Sequence, residues 1–298
     1  MARIIFAGSP DVAVPFLRAL AAVHDIVAVV TRTDSPVGRK RIITPTPVAV
    51  EAGQLGLPIV KANSLRGVGL PDSELGVVVA FGGLVPDAML DEPVHGWINA
   101  HFSLLPALRG AAPVQRGLWN GDASTGISIF RLVSELDAGP LFHQREIFFE
   151  PGETATEALA RISVITVDDV VDTVDGILSG ELESHPQEGP QTFAPKFGRD
   201  DGHISWLMPA QTIDHRIRAL TDEPGAFTFH GDIRIGIVRA RVSYADSGEA
   251  GSVTLANGHV YVGTGDGTIE LIEVKPSGKN TMSAVDWARG LRNETVLA

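Results

Sequence analysis

The sequence predicts an α/β fold, a doubly wound and mostly parallel sheet, followed by a small antiparallel β-barrel. Three observations carry that prediction. Short runs that are apolar on both faces alternate with helix-like segments as far as Leu132, the pattern of a parallel sheet covered on both sides. A stretch rich in Pro, Gly and charge follows at 184–202. Beyond it the texture changes, to strands that alternate apolar and polar residues between glycine turns.

RIIFAG (3–8) is an Ile-rich run ending in a glycine turn, and the apolar-periodic stretch from Val12 to Leu20 reads as a helix. Between them, Gly8-Ser9-Pro10-Asp11 offers one glycine rather than Gly-x-Gly-x-x-Gly. It reads as a tight turn with Ser9 as helix cap and Pro10 in the first turn. IVAVVT (26–31), LGVVVAFG (75–82), WINAHFSL (97–104) and GISIFRL (126–132) are the next strands, with helices expected at 46–55, 86–92 and 112–120. Ligands of such sheets bind beyond the carboxyl ends of the strands. Residues 153–179 read as one long helix whose outward face holds Asp168, Asp169, Asp172 and Asp175. In the last hundred residues, turn signals at HGD, ANG and GDG separate short strands spaced as in a barrel. Gly263-Thr-Gly-Asp-Gly267 lies between two such strands and reads as a hairpin turn. The expected organisation is a first domain at 1–183, a linker at 184–202 and a barrel at 203–298.

Composition excludes several classes of chemistry. The chain has no cysteine, so a thiolate nucleophile, a disulfide scaffold and Cys-ligated zinc or iron–sulfur sites are out. Nine histidines include no pair at i, i+4 or His-x-His spacing, and no metal site is expected. The apolar opening segment is broken by Gly-Ser-Pro, and no window approaches 18 uninterrupted apolar residues. Neither a secretory signal nor a membrane span is therefore expected, and the protein is expected in the cytoplasm. The net charge of −12 argues against a nucleic-acid partner until its distribution is considered. Residues 150–188 alone carry ten acidic side chains against one arginine. The remainder is nearly neutral and leaves room for a local basic site.

The most informative segment is Asn99-Ala-His101-Phe-Ser103-Leu-Leu-Pro106-Ala-Leu-Arg109-Gly110-Ala-Ala-Pro113. Asn99 and His101 are two apart near a strand end, so their side chains share a face. Polar groups on a buried strand need partners, since unpaired burial costs about 1–3 kcal/mol each. Two readings stand at this point: a structural hydrogen-bond network, or donors aimed at a developing oxyanion. Asp137 follows the next strand, where a carboxylate would reach the imidazole; an isolated Asp–Gly turn is the alternative.

Asn-Ala-His-Phe-Ser-Leu-Leu-Pro-x-x-Arg-Gly-Ala-Ala-Pro followed by Leu-Asp-Ala-Gly resembles the signature of the formyltetrahydrofolate-dependent formyltransferases. The resemblance implies a Rossmann-like catalytic domain and an OB-like C-terminal barrel that binds tRNA. It also implies a catalytic triad of Asn99, His101 and Asp137. It places folate against Phe81, Gly82, Ser103, Leu104, Leu105 and Pro106, with 10-formyltetrahydrofolate as formyl donor and no metal. The acceptor needs separate evidence, because the family also formylates sugar nucleotides. Residues 31–47, with Arg39, Lys40 and Arg41, resemble the basic loop of the branch that formylates initiator methionyl-tRNA. Pro276–Ala284, with Lys279, resembles that branch's barrel motif. The resemblance therefore implies a tRNA-binding set of Arg39, Lys40, Arg41 and Lys279, in a chain expected to be a monomer. Phe102 stands where a small residue is common and is expected to narrow the folate pocket. The rival from another class is an NAD(P)-linked oxidoreductase on the same sheet type, against which the missing three-glycine fingerprint counts.

Overall fold

A computed structural model of the protein describes residues 1–38, 40–246, 248–291 and 295–298. It comprises two compact units. The first contains Met1–Pro113, Thr125–Phe148 and Leu159–Ala194; the second contains Val114–Ser124, Phe149–Ala158 and Pro195–Ala298.

The chain opens with β1 (Arg3–Gly8), α1 (Val14–Val23) and β2 (Asp25–Thr31), then a hairpin of β3 (Ser35–Val37) and β4 (Ile42–Thr44). After it come α2 (Pro47–Gln54), β5 (Ile59–Lys61), β6 (Leu75–Val79) and β7 (Trp97–His101). Then follow α3 (Pro113–Asn120), β8 (Ser124–Arg131), β9 (Leu141–Phe148), α4 (Ala155–Ile165) and α5 (Val167–Ser179). The sheet runs in the order β5-β2-β1-β6-β7-β8-β9. The pairs β5–β2, β2–β1, β1–β6 and β6–β7 are parallel, while β8 is antiparallel to β7, with Asn99 opposite Phe130 and His101 opposite Ser128. The mostly parallel sheet read from the alternation of apolar strands and helices is therefore present, with the order reversal that leaves a crevice at the ends of β1 and β6.

Strand alternation sorts the core into two layers. Ile5, Ala7, Ala28, Val30, Val78 and Trp97 share one face and pack with Leu65, Phe81 and Met89 from the connecting segments. Asn99 is the register partner of Val78 and so lies on that same face. Ala100 and Phe102 alternate to the other face, where the Phe102 ring lies 6.3 Å from that of Phe16 in α1. Phe102 is thus spent on helix packing, on the opposite side of the strand from His101. The ring expected to narrow the folate pocket therefore packs against Phe16 of α1.

The second unit carries α6 (Ala210–Leu220), β10 (Phe227–His230), β11 (Ile233–Ser243), β12 (Ser252–Ala256), β13 (His259–Gly263) and β14 (Thr268–Pro276). It ends with β15 (Met282–Ser283), α7 (Ala284–Ala288) and β16 (Thr295–Val296). The strands pair antiparallel in the order β10-β11-β14-β13-β12-β16. Phe229 and Ala298 exchange backbone hydrogen bonds of 2.8 and 3.0 Å, which joins the two ends of that order and nearly closes a barrel. Asn257 and Gly258 both take left-handed φ, 54° and 79°, the type I′ geometry that Asn-Gly hairpins favour. Residues 263–267 form the hairpin turn expected of them, with Gly263 paired to Thr268. Ile213, Ile217 and Leu220 of α6 pack with Ile235, Ile237, Val262, Ile269 and Trp287.

Three helical expectations are corrected. Residues 86–92 form only a short 3₁₀ turn, Asp87–Met89. The long helix expected at 153–179 is two helices, α4 and α5. At the junction Thr166 leaves helical geometry (φ −108°, ψ 11°), and its Oγ1 joins its own N–H in donating to the Ile162 carbonyl, at 2.7 and 3.1 Å, the back-bonding that bends helices. On α5 the acid does not all face outward, since Asp169 is held by Arg145 at 2.7 Å and His143 at 2.9 Å.

Candidate active site

Three strand ends are tied together by one hydroxyl. A Cβ added to Gly8, at the end of β1, would lie 2.8 Å from the Phe6 ring and 2.9 Å from the Val79 carbonyl, so only glycine allows the turn there. Ser9 does not cap the helix as the turn pattern predicts. Its Oγ donates to the Phe81 carbonyl at 2.9 Å and accepts the Arg32 N–H at 3.3 Å. The chain instead makes a 3₁₀ turn at Asp11–Ala13 before α1. A helix cap stabilises by about 1 kcal/mol, whereas a buried carbonyl left unpaired costs about 1–3 kcal/mol, which is why the long-range bond prevails. It holds Phe81, almost fully buried, between Ala80 and Gly82, both at left-handed φ (47° and 73°).

On β7, the His101 Nε2–H donates to the Leu108 carbonyl at 3.0 Å. A carbonyl only accepts, so this bond assigns the proton to Nε2 and leaves Nδ1 facing Asp137. The Nδ1···Oδ2 distance is 3.8 Å, too long for a direct hydrogen bond and open to a bridging atom. Burial pushes the His101 imidazole below its ordinary range, against the opposing pull of the Asp137 charge and the Leu108 carbonyl. The ring is therefore neutral in the free protein near pH 7. Asn99 completes the cluster on the same face. Its Oδ1 is buried and has no hydrogen-bond partner among the described residues.

Asp137 reaches this face by a route that differs from the expected one. Because β8 is antiparallel to β7, its end at Arg131 lies opposite Ile98, away from His101. The turn from 132 to 140 folds back and delivers the carboxylate. Asp137 adopts a left-handed φ of 48°, a conformation Asp tolerates better than most residues. Its Oδ2 accepts the Gly110 N–H at 2.7 Å.

The segment from Ser103 to Pro106 is a rigid turn. Ser128 Oγ donates to the Ser103 carbonyl at 2.6 Å and accepts from Leu105 N at 3.0 Å and Gln144 Nε2 at 2.9 Å. Ser103 Oγ donates to the Ala107 carbonyl at 2.7 Å, and Leu105 packs with Phe130 and Leu141. These two side chains face the interior, and Leu104 lies where a Cβ on Gly126 would contact it. Sequence reasoning assigned no role to Leu108, Arg109 or Gly110, although they lie in the quoted motif. It also passed over Gln187 and Thr192, inside the stretch read as a linker. Thr192 Oγ1 accepts the Leu108 N–H at 2.8 Å, and Arg109 donates to Gln191 and Gln187 at 2.8 and 2.7 Å.

The basic segment expected as a loop is the β3–β4 hairpin, with Pro36 opposite Ile43. Lys40 and Arg41 lie at its exposed tip, and Arg39 falls outside the described residues. Ile42 and Ile43 are both 62% exposed. Neighbours on a strand point to opposite faces, so the hairpin is uncovered on both. Lys279 is exposed in the turn after β14, its N–H bonded to the Pro276 carbonyl at 3.0 Å.

Comparison with known proteins gives this geometry a family. The family described as Formyl transferase matches residues 2–174, and Formyl transferase, C-terminal domain, matches residues 196–292. The chain is 45% identical to methionyl-tRNA formyltransferase of Clavibacter sepedonicus over 304 residues, covering 99% of each. Among solved structures it is similar to methionyl-tRNA formyltransferase from Clostridium thermocellum, with a TM-score of 0.56 at 18% identity over 91% of this chain and 99% of that one. It is also similar to WlaRD, a sugar 3N-formyl transferase, with a TM-score of 0.69 at 14% identity over 94% and 99%. The structural likenesses show the fold, and the end-to-end sequence identity shows more than that. The chain belongs to the formyl transferase family.

Proposed function

We propose that the protein transfers the formyl group of 10-formyltetrahydrofolate to the α-amino group of methionine on initiator methionyl-tRNA. The observation that carries this reading is the convergence of Asn99, His101 and Asp137 on one face of the sheet, in a chain similar from end to end to curated enzymes of that name. The neutral amine attacks the formyl carbon, the new N–C bond forms, and the bond from that carbon to N10 of the folate breaks. Asn99 has an NH₂ for the formyl oxygen and an acceptor oxygen that no described protein group uses, which suits an incoming amine N–H. Asp137 orients His101 and takes the proton from the attacking nitrogen, directly or through water. With Nε2 committed to Leu108, His101 assists the oxyanion through Nδ1 once that atom holds a proton. The Asp137 charge favours this form. The folate nitrogen that leaves takes up a proton, which balances the step.

Phe81 and Gly82, with the rigid turn from Ser103 to Pro106, form the walls assigned to the folate. The barrel, Lys279 and the basic hairpin with Arg39, Lys40 and Arg41 are assigned to tRNA phosphates, which side chains of this kind contact without reading sequence. The same reading has the protein act in the cytoplasm, where charged tRNA is used, as a monomer; among the described residues no helix is long and apolar enough to cross a membrane. The test is transfer of radiolabelled formyl from 10-formyltetrahydrofolate to charged initiator tRNA, with an amino-sugar nucleotide as competing acceptor. Formylated methionyl-tRNA as the main product is expected; label on the sugar nucleotide instead would transfer the reading to a sugar N-formyltransferase.

A further inference from the structure

Both hydrogen bonds that orient the His101–Asp137 pair come from one short segment. His101 Nε2 bonds to the Leu108 carbonyl and Asp137 Oδ2 to the Gly110 N–H. That segment is zipped to residues 192–194. Arg109 N donates to the Thr192 carbonyl at 2.9 Å, Ala194 N to the Arg109 carbonyl at 2.7 Å, and Ala112 N to the Ala194 carbonyl at 3.0 Å. The same stretch of chain holds the Asp137 turn from its other side. Gln187 Nε2 donates to the Asp137 and Gly139 carbonyls, both at 2.8 Å, while its Oε1 accepts from Arg109 Nη2 at 2.7 Å.

We propose that Gln187 is a positioning residue of the transfer site, clamping the left-handed Asp137 turn to the buried Arg109 and so fixing where the carboxylate meets His101. The proposal rests on the assignment of Asp137 and His101 above. The chemistry requires glutamine. Two carbonyls must be met by donors and one guanidinium by an acceptor, and a carboxamide alone supplies both from one planar group. Glutamate of the same shape donates nothing to the carbonyls and sets its charge against them. Leucine makes none of the three bonds. Among the described residues the Asp137 carboxylate has one hydrogen bond, to Gly110, so its backbone conformation decides the aim of the carboxylate.

The experiment is a double-mutant cycle in the full-length protein, with steady-state kinetics for donor and acceptor. Gln187→Leu is expected to lower kcat by about tenfold to a hundredfold, the range for a displacement near 1 Å at a reacting group, with each KM within about threefold. Gln187→Glu, which preserves shape, should lose kcat similarly. In the Asp137→Asn background, adding Gln187→Leu should cost less than about threefold more, because a positioning residue has nothing left to position. Normal kcat in Gln187→Leu or Gln187→Glu would overturn the proposal. So would losses that multiply in the double variant, or an effect confined to KM. Full turnover in Asp137→Asn alone would instead remove Asp137 from the mechanism, and the proposal with it.

Discussion

Replacing Gly139 with alanine tests whether the Asp137 turn is rigid. A Cβ on Gly139 would lie 1.7 Å from the Arg131 carbonyl oxygen and 3.4 Å from the Phe130 ring. A carbon and a carbonyl oxygen approach to about 3.3 Å, so the gap must open by roughly 1.6 Å. The turn has little room to give. Arg131 N is bonded to the Pro140 carbonyl at 2.9 Å, and the Gly139 carbonyl accepts from Gln187. The displacement therefore passes to Asp137, two residues earlier. Misplacement of a reacting group by about 1 Å costs on the order of 10²-fold, so kcat should fall by about that factor or more. Overpacking should also lower stability by about 1–3 kcal/mol, read from urea unfolding. Gly53→Ala is the control: nothing lies within 4 Å of its added Cβ, in helix α2. It should stabilise by about 0.5–1 kcal/mol and leave kcat alone. A folded Gly139→Ala protein with kcat within about twofold of the parent would show that the turn yields without moving Asp137, and would refute the rigidity assigned to it.

Asn99→Ala, His101→Ala and Asp137→Asn should each lower kcat by about 10²–10³ with the fold retained; near-normal turnover in any of them removes that residue from the reaction. Replacing Lys40 and Arg41 by alanine should raise KM for tRNA and flatten its salt dependence by about one logarithmic unit for each phosphate no longer neutralised, with folate binding unchanged. An unaltered salt slope would make the hairpin tip a solvated surface. Burial lowers the basicity of His24, His101 and His215, so the unfolded chain takes up these protons more readily than the folded one. Stability should thus be fully present above about pH 6.5 and fall as the pH drops through that value, by at most about 1.4 kcal/mol per pH unit for each histidine. Urea midpoints at pH 7.5 and 5.5 measure it. His24→Leu should make the fall shallower, and an equally steep fall in that variant would refute the assignment to His24.

The sequence by itself determined the sheet class, the barrel and the strands β1, β2, β6, β7 and β8; it passed over β5 and β9 and read the β3–β4 hairpin as a loop. Those signals are local: apolar alternation, Asn257-Gly258 as a hairpin turn, and a polar pair at Asn99 and His101 on one side of a strand. It did not determine partners chosen across the chain. Ser9 looked like a helix cap until the Phe81 carbonyl, 72 positions away, proved to need its hydroxyl more. Phe102 reads as bordering the folate pocket, and its packing against Phe16 is not legible in either segment. β8 runs antiparallel to β7 and ends away from His101, a direction composition does not encode, so Asp137 reaches the imidazole only through the turn from 132 to 140. Residues 185–194 read as linker because Pro, Gly and charge are also what a polar strap contains. Only the tertiary structure showed Gln187 and Thr192 spending their hydrogen bonds on the segments that carry His101 and Asp137. A hydrogen bond between distant residues leaves no periodicity in either segment, so it becomes visible only when folding brings the two ends together.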